Sequence, residues 1–149
     1  MTDYFISDTH FGHRYASKLR GFETPEDHDA QLILEWNQQV TDNDHVYLLG
    51  DGTFRGMGYS KGIFDQLKGY IMVVPGNHDS NPRVIERCLE GRGKMLPPIH
   101  RCLQVGIEKK ITLCHFPLAA WDGSDRGSIN FHGHLHGTNH HMCDKYTGA

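Results

Sequence analysis

The sequence predicts an α/β domain with mixed sheets, because two kinds of pattern follow each other along the chain. In the first half, short apolar runs alternate with helical patterns, which is typical of strand–helix–strand units. In the second half, apolar runs follow one another closely, which is typical of paired strands. The 149 residues contain no repeat, low-complexity tract or linker, so residues 1–149 are expected to form one domain around one core.

In the first half, the predicted elements end at recognisable signals. The first strand ends at Asp8. The first helix begins at Thr24-Pro25, a capping hydroxyl followed by a proline at the first helical position. Gly69 ends the second helix, and Gly91 ends the third. The predicted strands cover residues 4–7, 46–49 and 70–74, and the predicted helices run from Pro25 to about Thr41, from 60 to 68 and from 82 to 89.

In the second half, strands predominate. The predicted strands cover residues 99–105, 110–114 and 129–131. The first two are expected to pair antiparallel through Gly106. Residues 121–128 are expected to form a polar loop. From His140 to Ala149 the sequence shows no clear pattern.

Composition and charge argue against several kinds of partner. The formal net charge is −3, so no stable nucleic-acid partner is expected, although a local basic groove stays open. No apolar run approaches the roughly 18–20 residues that cross a bilayer, and the N-terminus lacks a signal-peptide pattern, so no membrane partner is expected. The cysteines form no CxxC pair, which indicates free thiols in a reducing cytoplasm; they are Cys88, Cys102, Cys114 and Cys143.

Five short polar elements stand where predicted strands give way to loops. They are Asp8-Thr9-His10, Gly50-Asp51, Gly76-Asn77-His78-Asp79, Cys114-His115 and Gly133-His134-Leu135-His136. Open α/β sheets place their sites at the carboxyl ends of strands, so these elements should converge. Side chains two apart on extended backbone point the same way. Asp8 and His10 are therefore expected to face one cation together, and His134 and His136 to do the same from the opposite side.

The candidate ligands comprise two carboxylates, four imidazoles and one amide oxygen. Sulfur is absent, which argues against a closed structural zinc site, and mixed nitrogen and oxygen ligation suits Mn²⁺, Fe or Zn²⁺. Seven side chains are too many for one cation and suit two that keep positions open for water and substrate. Because Asp8 and Asp51 cancel only part of the charge of two divalent ions, the remainder can bind a phosphate ester.

In this order the elements resemble the signature of the calcineurin-like metallophosphoesterase superfamily, which reads DxH, GD, GNH(D/E), H and GHxH. The resemblance extends from Asp8 to His136, and the run from His115 to Leu118 resembles the compact bacterial and phage branch. It implies a fold of two mixed β-sheets packed as a sandwich and flanked by helices. Relatives usually continue past GHxH into another strand, whereas this chain stops at Ala149, so the last strand is expected to be very short or cut off.

The resemblance also implies a role for each candidate ligand. One metal would be held by Asp8, His10, Asp51 and His136, and the second by Asp51, Asn77, His115 and His134. Asp51 would then bridge the two ions, and a metal-bridging hydroxide would be the nucleophile. His78 matches the histidine that donates a proton to the leaving oxygen or stabilises the transition state. The two divalent ions are expected to be Mn²⁺, with Fe, Zn²⁺, Co²⁺ or Ni²⁺ as alternatives.

One departure from the superfamily bears on the substrate. The phosphoprotein-phosphatase branch has GDxxDRG, whereas Phe54 stands here in place of the acid that orients the catalytic histidine. This weakens a protein-phosphatase interpretation and leaves the partner of His78 open. Arg55 could touch a phosphate or lie at the surface. His13 and Arg14 are candidates for the substrate mouth, with plain exposure as the alternative.

The sequence therefore predicts a metal-dependent enzyme that hydrolyses phosphomonoesters or phosphodiesters, including nucleotides. The alternative is a scaffold protein that keeps the fold without turnover, although His78 and all seven ligands are present. Dinuclear hydrolysis of amides or lactones is disfavoured because the HxHxDH cluster is missing. His28, His45 and His100 fall in ordinary helix or strand contexts and are predicted to be structural. The oligomeric state stays open.

Overall fold

The computed structural model describes residues 1–79, 81–103 and 110–136, and in this part of the chain two sheets pack face to face. The first sheet contains β1 (Asp3–Ile6), β2 (His45–Leu49), β3 (Tyr70–Val74) and β4 (Gly93–Met95), in that order and all parallel. The second contains β5 (Ile99–Leu103), β6 (Lys110–Cys114) and β7 (Ile129–Phe131). In this second sheet β5 and β6 pair antiparallel, and β6 and β7 pair parallel.

The helices connect the strands of the first sheet. They are α1 (Arg14–Leu19), α2 (Pro25–Gln39), α3 (Met57–Phe64) and α4 (Pro82–Cys88), with one 3₁₀ turn at Ser124–Arg126. The strand order of the first sheet follows the chain, and right-handed crossovers then place the connecting helices on one face of it. No described helix has both the length and the hydrophobicity that a bilayer crossing requires.

The core forms two layers, because side chains along a strand alternate between the faces of the first sheet. The layer under the helices includes Phe11, Trp36, Val46, Leu48, Phe64, Ile71 and Val73. The layer between the sheets includes Leu49, Met72, Val74, Leu96, Ile111 and Leu113. Phe5 joins the sheets, since its ring stacks on Tyr47 at 5.0 Å and meets Phe131 edge-on at 4.8 Å. The two sheets are therefore fixed relative to each other at the end of the fold that carries the polar loops.

The predicted α/β architecture of two packed sheets with flanking helices is confirmed. The second sheet is mixed, whereas the four described strands of the first sheet all run parallel. The expected connection through Gly106 and the expected short or missing final strand lie outside the described residues. That residues 1–149 form one domain stays a prediction.

Three elements differ from the sequence prediction. Helix α3 begins at Met57 and ends at Phe64, earlier than expected, because Leu67 stays in the core after the backbone has left the helix and so prolongs the apolar spacing. Helix α1 has six residues and β4 has three, so both are too short to show a periodic pattern. The predicted loop at 121–128 includes the short 3₁₀ turn.

Asp44 ties the N-terminus to the start of β2. Its carboxylate accepts hydrogen bonds from the backbone N–H of Thr2 (2.7 Å), the N–H of Thr41 (2.9 Å) and the Thr41 hydroxyl (2.6 Å). The Thr41 hydroxyl, followed by these backbone groups, lowers the pKa of Asp44 to about 2. Because the folded pKa lies below the unfolded one, Asp44 stabilises the fold above about pH 4 and loses this contribution as pH falls toward 2.

We predict that Asp44→Asn lowers the free energy of unfolding most at neutral pH and less as pH falls from about 4 to about 2. Urea unfolding of both proteins across this pH range measures the difference. Asp42→Asn, a change at an exposed neighbour, is the matched control. A difference between parent and Asp44→Asn that stays constant from pH 7 to pH 2 would contradict this account.

Candidate metal centre

The loops that follow β1, β2, β3, β6 and β7 meet at one end of the sheets. The loop after β1 runs beside the loop after β2, because the N–H groups of Asp8 and His10 donate to the carbonyls of Gly50 and Asp51, each at 3.0 Å. Across the sheets, the N–H of Gly133 donates to the carbonyl of His115 at 3.0 Å. These bonds bring the five polar elements of the sequence into one region.

The first group of candidate ligands contains Asp8, His10 and His136, whose ligand atoms all lie within 4.8 Å of one another. The Nε2 atom of His136 lies 3.4 Å from Asp8 Oδ1 and 3.2 Å from His10 Nε2. The other oxygen, Asp8 Oδ2, accepts the N–H of His134 at 2.9 Å. Asp8 Oδ1 is buried and has no hydrogen-bond partner among the described residues. A carboxylate oxygen left in this state is costly, and a cation would satisfy it.

The second group contains Asp51, His115 and His134, again with ligand atoms within 4.8 Å of one another. Asn77 belongs with it, because its Oδ1 lies 2.9 Å from His115 Nε2. That nitrogen also lies 3.4 Å from Asp51 Oδ2. The opposite nitrogen, His115 Nδ1, contacts the carbonyl of Leu49 at 2.8 Å, so donation there turns Nε2 toward the group. Imidazole, carboxylate and amide atoms that converge in this way suit a divalent cation.

The two carboxylates are held in the same manner. In Asp8 and in Asp51, one oxygen is fixed by a backbone N–H and the other faces imidazole nitrogens. For Asp51 the fixed oxygen is Oδ1, which accepts the N–H of His78 at 2.9 Å. The residues therefore fit two cations, one at each group. The structure places Asp51 in the second group, and its bridging role stays a prediction.

Left-handed backbone occurs at the candidate ligands. Within the described part of the chain, the non-glycine residues with positive φ are Asp8 (56°), His10 (51°), Asp51 (54°), His134 (72°) and His136 (47°). Such conformations cost of order 1–3 kcal/mol each and persist where surrounding contacts enforce them, commonly at functional sites. All five belong to the predicted ligand set, so the strain is concentrated where the site needs it.

This backbone corrects one expectation from spacing. His134 and His136 do not face one cation together. His134 belongs to the second group, and His136 belongs to the first. The expectation assumed extended backbone, in which side chains two apart point the same way. Both histidines have positive φ, so the backbone is not extended and the alternation of side chains along a strand does not apply. Asp8 and His10 also have positive φ, yet they share the first group as expected. The superfamily resemblance likewise assigns His136 to the first metal and His134 to the second, but it also assigns Asp51 to the first, where the observed group does not include it.

Two glycines are required by close approach to the carboxylates. A Cβ atom at Gly76 would collide with Asp51 Oδ1, and one at Gly133 would collide with Asp8 Oδ2 and with Ser7. The loops that carry Asn77 and the C-terminal histidine pair can therefore reach the carboxylates only because these positions lack a side chain.

Burial and hydrogen bonding shift the pKa values of three candidate ligands, and those of His10 and Asp51 move in the direction that suits metal binding. Burial lowers the pKa of His10 to about 4, so its imidazole is neutral at neutral pH and has a lone pair to offer. Burial would raise the pKa of Asp51, but hydrogen bonds from His115 and from the N–H of His78 lower it below its ordinary value. Burial would lower the pKa of His115, yet its bonds to Asp51 and to the Leu49 carbonyl raise it.

Asp79 is a positioning residue that the sequence did not reveal. Its carboxylate accepts the N–H groups of Asp51 (2.8 Å), Gly76 (2.9 Å) and Gly52 (3.3 Å), and thereby fastens the loop after β2 to the loop after β3. Asp79 does not cap α4, whose N-cap is Asn81. Burial raises the pKa of Asp79, against the effect of these bonds.

His78 lies at the rim, with its side chain 45% exposed. Its Nε2 is 3.9 Å from Asp51 Oδ2, and its ring centroid is 4.4 Å from that of Phe54. Phe54 also packs edge-on against His13 at 3.8 Å. Where the protein phosphatases have an acid beside this histidine, the present chain therefore has an aromatic ring between two imidazoles.

The candidate substrate-mouth residues lie in different surroundings. His13 caps α1 by accepting the N–H of Ala16 at 2.9 Å, and its ring lies 5.5 Å from that of His10. Arg14 is the exposed first residue of α1. Arg55 binds Glu26 at 2.7 Å and lies over a tyrosine ring at 4.5 Å, so its guanidinium is engaged outside the two groups. Contact of His13, Arg14 and Arg55 with substrate stays a prediction.

Comparison with known proteins gives one family. The family model for calcineurin-like phosphoesterases matches residues 1–147. The Gene 66 protein of Mycobacterium phage L5 is 27% identical over 161 residues, which cover 89% of this chain and 76% of that protein. The Gene 66 protein of Mycobacterium phage D29 is 28% identical over 159 residues, covering 89% of this chain and 77% of that protein. This similarity to phage proteins agrees with the compact, phage-type branch.

Two further relatives are longer than the part that matches. An uncharacterized protein of Methanocaldococcus jannaschii is 40% identical over 80 residues, which cover 51% of this chain and 46% of that protein. The crystal structure of a protein of unknown function from Aquifex aeolicus matches with a TM-score of 0.63 and 25% identity. This match covers 78% of this chain and 62% of that chain, so the present chain spans less than two thirds of either relative.

We predict that Asp79→Asn lowers the free energy of unfolding of the metal-free protein by about 1–3 kcal/mol, because the amide nitrogen would replace one carboxylate oxygen. If the remaining oxygen keeps the N–H groups of Asp51 and Gly76, the N–H of Gly52 faces the amide nitrogen and lacks an acceptor. Urea unfolding in the presence of a chelator measures this change. Asp65→Asn, at an exposed carboxylate that pairs with Lys61, should change stability by less than about 0.5 kcal/mol. Equal losses in the two variants would show that Asp79 does not fasten the loops.

Proposed function

This chain belongs to the calcineurin-like phosphoesterase family, and on that premise we propose that it hydrolyses phosphate esters with two divalent cations. The observation that carries the proposal is the presence of two adjacent groups of ligand atoms, each with a buried carboxylate oxygen turned toward imidazole nitrogens. A closed structural site would use all its ligands on one ion. Two separate groups instead leave ligand positions for water and substrate.

In this proposal each cation would have its own set of side chains. Asp8, His10 and His136 would hold the first, and Asn77, His115 and His134 would hold the second. Asp51, which lies in the second group, would serve both. The bound cations supply positive charge for the phosphoryl oxygens and lower the pKa of an attacking water. Nitrogen and oxygen ligands suit Mn²⁺ foremost, with Fe, Zn²⁺, Co²⁺ or Ni²⁺ as alternatives.

His78 is the proposed proton donor to the leaving oxygen. It is the exposed imidazole at the rim, and its backbone N–H fixes Asp51 Oδ1, so its ring is held beside the second group. The ring of Phe54 packs against it, at the position where the phosphoprotein-phosphatase branch has an acid. Among the described residues, the carboxylate near the His78 ring is that of Asp51, whose Oδ2 lies 3.9 Å from Nε2.

The rim favours small esters with a flat leaving group. Phe116 is 42% exposed, and its ring lies 4.8 Å from His134 and 4.9 Å from His115. An aromatic surface beside the second group can contact an aryl or nucleoside group while the phosphate lies at the cations. The net charge of −3 favours small substrates over a stable nucleic-acid partner. The buried thiols of Cys88 and Cys114 suit work in a reducing cytoplasm.

We predict that the parent protein with Mn²⁺ releases nitrophenol from mono- and bis-nitrophenyl phosphate, and that His78→Ala lowers kcat about 10²–10⁴-fold while it leaves metal content unchanged. Absorbance assays of turnover, paired with metal analysis of the same samples, measure both quantities. His45→Ala, a histidine at the start of β2 that pairs with Asp3, is the matched control and should keep full activity. No turnover by the parent with Mn²⁺, Fe, Zn²⁺, Co²⁺ or Ni²⁺ would favour a scaffold protein that keeps the fold.

A further inference from the structure

Arg20 lies behind the loop that carries the first group. It follows α1 as the C-cap residue, and its guanidinium donates to two successive carbonyls of that loop. Nη2 donates to the carbonyl of Asp8 at 2.6 Å, and Nη1 donates to the carbonyl of Thr9 at 2.9 Å. These two carbonyls lie in the chain between Asp8 and His10, the two residues of this loop that take positive φ. One side chain therefore holds the backbone between two candidate ligands.

Arg20 is itself held by a buried histidine. Its Nη1 lies 2.8 Å from Nε2 of His28, a fully buried residue. Because a guanidinium only donates, His28 Nε2 must accept, and its proton must be on Nδ1. Nδ1 then donates to Asp29 Oδ1 at 2.7 Å. His28 is thus fixed in one tautomer, and it places the guanidinium without adding a charge.

Asp29 fastens the far end of the same loop. Its second oxygen, Oδ2, accepts the N–H of Gly12 at 2.7 Å and the hydroxyl of Tyr59 at 2.6 Å. Asp29 is 2% exposed, so its charge is compensated by these bonds and, through His28, by Arg20. The hydrogen-bond network of Arg20, His28 and Asp29 therefore holds the loop at the carbonyls of Asp8 and Thr9 and at the N–H of Gly12.

We propose that Arg20 is a positioning residue for the first group, acting through the carbonyls of Asp8 and Thr9; this rests on the proposed metal-binding function. Removing the guanidinium leaves two loop carbonyls without their charge-assisted bonds. The left-handed turn then loses the contacts that enforce it, and Asp8 and His10 spread over several conformations. Groups that orient metal ligands from outside the coordination sphere typically change affinity about 10–100-fold. The second group depends on Asp79 and should be unaffected.

The test separates the two groups by substitution and measures Mn²⁺ binding by calorimetry. The His134→Ala background removes a ligand from the second group and leaves the first group complete. The His136→Ala background removes a ligand from the first group and leaves the second complete. Adding Arg20→Lys should weaken binding about 10–100-fold in the first background and by less than about 2-fold in the second. Lysine keeps the charge but cannot span both carbonyls and His28. Arg20→Ala should weaken binding further, so that lysine gives partial rescue.

Lys18→Ala is the matched control, since it removes a positive charge from an exposed position on the same helix. It should change binding by less than about 2-fold in either background. Equal weakening by Arg20→Lys in both backgrounds, or no weakening in either, would overturn the proposal. If Arg20→Ala does not fold, Arg20→Lys alone decides between these outcomes. The readout is binding, so absence of turnover in the parent would count against hydrolysis and not against this role of Arg20.

Discussion

The constraint on which this structure depends is the convergence of electron-donating atoms at one end of two packed sheets. Carboxylate and imidazole atoms lie within 4.8 Å of one another in each of two groups, with the amide oxygen of Asn77 beside the second. Asp8 Oδ1 is buried without a donor among the described residues. Such atoms repel one another and have lost water, so the arrangement is costly by itself. A divalent cation at each group would attract all of these atoms and so offset their mutual repulsion and their lost hydration. The fold is therefore best understood as a support for atoms that require cations.

The support consists of backbone interactions that act from outside the groups. Parallel strands bring the loop starts to one edge, and direct bonds between those loops fix their spacing. Asp79 joins the loops after β2 and β3, while Arg20 grips the loop after β1. Gly76 and Gly133 allow the remaining loops to approach the carboxylates. Each of these interactions acts on the backbone of a loop. The ligand side chains are therefore positioned with few contacts of their own, and their remaining oxygen and nitrogen atoms can bind cations.

Much of this could be predicted from sequence because the strands are continuous apolar runs and the ligands stand directly after them. The first three strands of the first sheet, the strand pair and the candidate ligands follow from that pattern. The short α1 and β4 could not, since six and three residues carry no period. The roles of Arg20 and Asp79 depend on hydrogen bonds across the chain, which leave no periodic trace. The separation of His134 from His136 could not be predicted from their spacing, because the backbone there is not the extended strand that the spacing rule assumes.

Anomalous diffraction from crystals of the protein grown with Mn²⁺ tests the central claim most directly. The account predicts two anomalous peaks, one surrounded by Asp8, His10 and His136 and the other by Asp51, Asn77, His115 and His134. A single peak enclosed by all of these side chains would contradict the division into two groups. Full occupancy by Mn²⁺ at other residues, with these groups empty, would contradict the account as a whole.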